Sequence, residues 1–263
     1  MIKRIYNLKL SPTVGRIPFM VPRHIDMANV PDTDVSKDIP YTLDQGQEGS
    51  CVFHACGVAM CHVDCKLHPA TGFIKPAINA PYYQYRKKHN CVNQDTGASG
   101  YEYCQIVREY GLGPASLNPY GPATFKTPPS AAYMKAAIQN QLLEFQQIPV
   151  TDKAGAIATM RAALHANGFG LPIGIQVPAD FESDAVARTG LYMKSNFKNI
   201  QGGHEVYYVG SYHNVPEPYE LLLNSWGDQW GCKGLNGLRG FVKVSTAVLM
   251  RILLEANVLT KTE

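Results

Sequence analysis

The sequence has no apolar run approaching the roughly 18 residues that a membrane-crossing helix needs, which excludes an integral helical membrane protein as the reading. It also lacks an excess of charge of one sign. Lys and Arg total 24 against 21 Asp and Glu, a formal net charge of +3. That near balance gives no electrostatic footprint for nucleic acid or an anionic membrane surface. There is no internal repeat, no low-complexity tract and no Asn-X-Ser/Thr sequon. The segment from Met1 to Pro12 has neither an apolar core nor a small-residue cleavage site, so no signal peptide and an intracellular location are expected. The seven cysteines are an odd number, which leaves at least one unpaired within the chain.

What is present is ordinary globular material. Of the 263 residues, 45% are hydrophobic and 17% charged, enough to build a sizeable core. Prolines at 12, 18, 22, 31 and 40 interrupt any helix over residues 1–44, which reads as an extended arm. A glycine-bearing loop from Gln45 to Ser50 follows. Val52, Ala55, Ala59 and Val63 then recur at helical spacing, with Ser50 as the predicted cap and Cys51 in the first turn. Further helices are predicted over Pro81–Lys88, from a Ser99 cap to Tyr110, over Ser130–Phe145, and from Asp152 to Asn167. The period then changes. Leu171–Val177, Glu205–Tyr212, Tyr219–Leu223 and Gly240–Val244 read as strands. Helices first and strands later predict an α+β protein with two lobes.

One group of residues has the pattern of nucleophilic chemistry. A thiol attacks as its thiolate, and a helix N-terminus or a nearby imidazolium favours that form. Cys51 has the first. His204, which follows Gly202-Gly203 at the start of an apolar strand, is the candidate for the second. Asn224 ends the run Leu221–Leu223 and could orient the imidazole, with Trp226 shielding the contact. Gln45 could donate its amide to a developing oxyanion.

Gln45 to Cys51, Gly203-His204 and Asn224-Ser225-Trp226-Gly227 together resemble the papain-type cysteine peptidases, in the style of their bacterial and viral branch. Asp95-Thr96-Gly97-Ala98-Ser99 and Asn118-Pro119-Tyr120 extend the likeness over residues 38–245. The resemblance implies a papain-like two-lobe α+β fold: an arm over residues 1–40, a helical lobe over about 41–120, and a β-rich, barrel-like lobe over about 121–263, with the cleft between the lobes. It implies a cysteine endopeptidase that cleaves peptide or protein substrates and needs no metal or organic cofactor. Cys51 would be nucleophile, His204 base and then acid, Asn224 the orienting group, and Gln45 part of the oxyanion hole. Gly97, Asp95, Gly203 and Trp226 would line the substrate. A thiolate–imidazolium pair is expected at mildly acidic to neutral pH. Two alternatives use the same scaffold: an acyl-transfer ligase or transpeptidase, and a catalytically silent binding protein. The oligomeric state is left open.

The sequence departs from the family pattern at four places. Glu48 stands where a cysteine is common, Val52 where an aromatic follows the nucleophile, and Glu205 where a small residue follows the histidine. The stretch before the motif is short for an inhibitory propeptide, so a permanent arm is favoured over a removable block. Cys61 and Cys65, one helical turn apart, with His68 beyond, could offer metal ligands. They are read instead as core thiols, with a disulfide to Cys91 or Cys104 as a lesser reading. Arg86-Lys87-Lys88 is read as a solvated helix end, and Tyr82, Tyr83 and Tyr85 as a core face.

Overall fold

The computed structural model describes residues 4–12, 17–22, 25–27, 29–141 and 144–260. Seven α-helices lie among them: α1 Cys51–Leu67, α2 Asn79–Lys88, α3 Gly100–Tyr110, α4 Ala131–Ala137, α5 Lys153–Asn167, α6 Asp184–Thr189 and α7 Thr246–Ile252. The strands are β1 Ile17–Pro18, β2 Thr33–Asp34, β3 Glu144–Ile148, β4 Leu171–Val177, β5 Leu191–Tyr192, β6 Gly202–Tyr212, β7 Tyr219–Leu223, β8 Cys232–Lys233, β9 Arg239–Ser245 and β10 Leu253–Thr260. They form one sheet in the order β1-β3-β10-β4-β6-β7-β9-β5, with β2 beside β6 and β8 beside β9. The pairs at the centre, β10/β4, β4/β6 and β6/β7, are antiparallel. The architecture is the α+β arrangement that the helix-then-strand order implies.

Local chemistry explains most of the elements. Ser99 and Glu102 close a reciprocal capping box on α3, and Gly111, at φ 74°, lets the chain leave it. Asp152 caps α5 and left-handed Gly168 ends it. Every residue of α1 from Cys51 to Val63 is buried. A helix apolar on all sides belongs inside the molecule, and α1 packs there against β4, β6 and β10.

Three expectations need correction. The helix predicted over Ser130–Phe145 stops at Ala137. The chain then exchanges hydrogen bonds between Asn140 and Leu112, and Phe145 pairs with Leu259 in the sheet. Tertiary pairing overrides helical propensity there. Second, Ser50 precedes α1 but makes no capping hydrogen bond. Its hydroxyl lies 3.0 Å from Tyr120 Oη instead. Third, Arg86 is not solvated. It is 0% exposed, with its guanidinium 3.6 Å from the centre of the Phe125 ring. The seven cysteines are all free thiols, so the lesser reading, a disulfide to Cys91 or Cys104, is not realised. Among the described residues, no cluster of three or more metal-ligating side chains forms around Cys61, Cys65 and His68 or elsewhere. Nor is any described helix long and apolar enough to cross a membrane.

Candidate active site

Cys51 sits at the first position of α1, wholly buried. The loop before it is fastened across the molecule. Gln45 N–H donates to the Ser225 carbonyl (2.9 Å), Ser225 Oγ donates to Gln45 Oε1 (2.6 Å), and Tyr120 Oη donates to the Gln45 carbonyl (2.8 Å). Gln45 Nε2 donates one hydrogen to the Glu48 carbonyl at 2.8 Å, which leaves the amide a second hydrogen. Asp95 braces the same loop. Its carboxylate accepts from Gly49 N–H (2.7 Å) and from Tyr82 Oη. The Glu48 carboxyl, beside Tyr120 and Asp95, is pushed up to about 7 chiefly by burial.

The second half of the site comes from the sheet. His204 lies near the start of β6, 0% exposed. Its Nε2 stands 2.8 Å from Asn224 Oδ1, which also accepts from Ser225 N–H at 2.8 Å. An amide oxygen can only accept, so Nε2 carries the proton. In the neutral ring Nδ1 is then the basic nitrogen. That Nδ1 is buried and makes no hydrogen bond to any described residue. Trp226 stacks on the imidazole, with ring centres 5.3 Å apart.

Burial sets the charge state. It pushes the Cys51 thiol up to about 12, although the backbone N–H of Glu205 at the sulfur pulls the other way. It lowers His204 to about 4, against the pull of Asn224. Burial thus favours the uncharged thiol and the uncharged imidazole in this arrangement, against the thiolate–imidazolium pair expected at mildly acidic to neutral pH.

The N-terminal arm packs over this part of the molecule. Arg4 reaches Asp44 Oδ1 (3.1 Å) and lies over Trp226, 5.3 Å from its ring centre. Tyr6 meets His204 edge-on at 5.8 Å and donates to Glu182 Oε1. Asn7 bridges Gly203, and its side chain donates to the Asp95 carbonyl at 2.9 Å. Leu8 N–H donates to the Gly203 carbonyl (3.2 Å) and Lys9 N–H to the Ala98 carbonyl (3.0 Å). Gly97, at φ 63°, admits the arm because a Cβ there would stand 1.9 Å from the Asn7 carbonyl oxygen.

Two groups of the foreseen site residues are joined by hydrogen bonds, Gln45 with Ser225 and His204 with Asn224. The arm touches Gly97, Gly203, Trp226 and His204 directly, and the N–H of Glu205, next to His204, reaches the Cys51 sulfur. Asp95 takes part through its backbone carbonyl, while its carboxylate holds the loop. Tyr6 and Leu8 were not foreseen, because nothing in an isolated proline-punctuated arm marks which of its residues will enter a cleft. Glu205 was visible only as a departure from pattern.

An α+β fold thus carries a thiol at a helix start and an amide-held imidazole on the sheet. Residues 80–248 match the family described as papain family cysteine protease. The chain belongs to that family. It is 29% identical over 198 residues to the uncharacterized peptidase C1-like protein L477 of Acanthamoeba polyphaga mimivirus, covering 73% of this chain and 62% of that protein. A shorter match, 32% over 95 residues, is to Testin-2 of Mus musculus, covering 35% of this chain and 26% of that protein. The chain therefore spans less than two thirds of the length of either curated relative. Among solved structures it is similar to xylellain, a cysteine protease from Xylella fastidiosa, with TM-score 0.80 and 20% identity, covering 98% of this chain and 97% of that one. It is also similar to proCathepsin B S9 from Trypanosoma congolense, with TM-score 0.73 and 14% identity, covering 98% and 87%. These likenesses show the fold.

Proposed function

We propose that the chain is a cysteine endopeptidase that cleaves peptide bonds through a thioester on Cys51. The observation that carries this reading is the state of His204. Its Nε2 is held by Asn224, and its Nδ1 is left unpartnered as a base in a cleft that also holds a thiol at a helix start. Nδ1 takes the Cys51 proton as the sulfur attacks the substrate carbonyl carbon. Gln45 Nε2 and the Cys51 N–H donate to the oxygen that becomes negative. The His204 proton then passes to the leaving amine as the C–N bond breaks, and the acyl group stays on sulfur. Water, deprotonated by the same imidazole, hydrolyses the thioester and restores the thiol.

Gly97 and Gly203 offer the substrate backbone two walls without side chains, where it adds by main-chain hydrogen bonds. The arm occupies this track, so residues 4–9 shift before a substrate enters. Displacing them admits water to Cys51 and His204 and removes the desolvation that keeps both neutral.

The test is hydrolysis of an unstructured protein, followed by mass spectrometry of the products. Cys51→Ala abolishes cleavage on this reading, and cleavage that persists in that variant contradicts it. Running the reaction with an added amine nucleophile separates hydrolysis, which gives free carboxyl termini, from acyl transfer, which gives amides.

A further inference from the structure

The arm places Leu8 against a part of the sheet that has no side chains of its own. A Cβ on Gly203 would stand 3.2 Å from Leu8 Cβ, and one on Gly174 would stand 2.8 Å from Leu8 Cδ2. Gly174 of β4 is in register with Glu205 on β6 and Glu255 on β10. Residues paired across neighbouring strands present their side chains on one face. The two glutamates therefore flank the glycine beneath the Leu8 isobutyl group. The same Cβ position at Gly174 is 2.9 Å from Glu255 Cγ and 3.3 Å from Glu205 Oε2.

The two carboxyls are not equivalent. Glu255 accepts from Ser11 N–H at 2.8 Å and from Asn257 Nδ2 at 3.2 Å. Glu205 is 0% exposed, and neither of its oxygens closes a hydrogen bond. Burial and then the neighbouring Glu255 charge raise it well above the ordinary carboxyl range, while the Asn257 amide pulls the other way. Cys51 and Cys56 from α1 and Cys104 from α3 share this environment, and burial holds all three as thiols. Among the described residues, Glu205 has no ion-pair partner. A buried, unpaired carboxyl is unfavourable under a leucine, which has nothing to donate to it.

We infer that the cavity filled by Leu8 receives a lysine or arginine side chain of a peptide substrate, with Glu205 as the group that accepts it. The inference rests on the peptidase reading above. Leu8 is then a neutral occupant. It fills the apolar walls of the cavity and leaves the carboxyl unanswered, so a basic peptide competes with the arm for this site. A cationic side chain supplies the missing donors, and charge-assisted hydrogen bonds of this kind are among the stronger ones. Glu255, already bonded to Ser11 and Asn257, adds negative potential beside it.

The test uses the full chain carrying Leu8→Ala, which empties the cavity without removing the arm, with and without Glu205→Gln. Each protein digests a peptide library randomised at every position, its fold is checked by thermal melting, and Cys51 is probed separately with an epoxysuccinyl inhibitor. The expected result is roughly tenfold enrichment of Lys and Arg over Leu at one position before the cut, and loss of that enrichment with Glu205→Gln. Preference for Leu, Val or Phe at that position in both proteins overturns the inference while cleavage itself upholds the peptidase. Absence of both cleavage and labelling overturns the peptidase reading and this one with it. A second variant gives an answer even if Glu205→Gln fails to fold. Leu8→Lys in the otherwise unaltered chain seats an ammonium on Glu205, so Cys51 labelling becomes several-fold slower than in the parent protein. Labelling that is unchanged or faster contradicts the pairing.

Discussion

The Arg86 guanidinium donates to the Val92 and Phe125 carbonyls and stacks on the Phe125 and Tyr82 rings. A planar fork with several donors can satisfy two carbonyls and two ring faces together, and an ammonium cannot. Arg86→Lys therefore destabilises the protein by about 2–3 kcal/mol, read as a lower midpoint in chemical denaturation. An unchanged midpoint contradicts the account. Glu205 acts in the opposite sense. Its folded-state carboxyl is raised, so folding favours the protonated form. That contribution is complete below the unfolded value, about 4.3, and is lost as pH rises above it. Glu205→Gln, which cannot ionise, thus raises the melting temperature at pH 7 by a few degrees and leaves it nearly unchanged at pH 4. Equal shifts at both values contradict this sign. In the sequence Arg86 and Glu205 were visible as residue types but not as environments. The partners that bury them, Phe125 and Glu255, lie 39 and 50 positions away, and local pattern contains no such contacts.

Among the elements, the arm and α1 together set the state of the site. Tyr6 meets the imidazole edge-on and Leu8 lies beyond it, while burial raises Cys51 to about 12 and lowers His204 to about 4. Tyr6→Ala loosens this cover. Iodoacetamide labelling of Cys51 in that variant rises in the mildly acidic to neutral range and is several-fold faster at pH 6.5 than in the parent chain. The parent's labelling climbs only toward alkaline pH. Coincident profiles would show that the arm does not control the thiol. The long periodic elements were legible beforehand. α3 has its capping serine and terminal glycine, and Leu171–Val177 and Tyr219–Leu223 form the strands β4 and β7 with the predicted bounds. The part of the sheet formed by β3 and β10 was not legible. Glu144–Ile148 becomes a strand only because Leu253–Thr260 arrives beside it, and the sequence between Ser130 and Phe145 by itself favours helix.

At the scale of the whole molecule, the sheet brings His204, Asn224 and Ser225 to one end, and α1, buried against that sheet, presents Cys51 there. The hydrogen bonds exchanged between Gln45 and Ser225 tie the two halves at the site itself. The chemical groups could be read from sequence because each stands in a short, specific string: Gln45 to Cys51, Gly203-His204 and Asn224 to Trp226. What fills the cleft could not, since occupancy depends on how the arm packs in three dimensions. Asn224→Ala removes the partner of His204 Nε2 and frees the ring to rotate and change tautomer. It lowers kcat/KM by roughly a hundredfold and, by leaving the Ser225 N–H without its acceptor, lowers the melting temperature as well. A loss of less than twofold would show that Asn224 does not orient the base.

The central claim, that one particular thiol is the nucleophile, is tested most directly by reacting the intact chain with an epoxysuccinyl inhibitor and locating the adduct by mass spectrometry. The account predicts a single adduct on Cys51, formed more slowly in Asn224→Ala and absent in Cys51→Ala. Labelling at any of the other six cysteines with Cys51 left unmodified would contradict it.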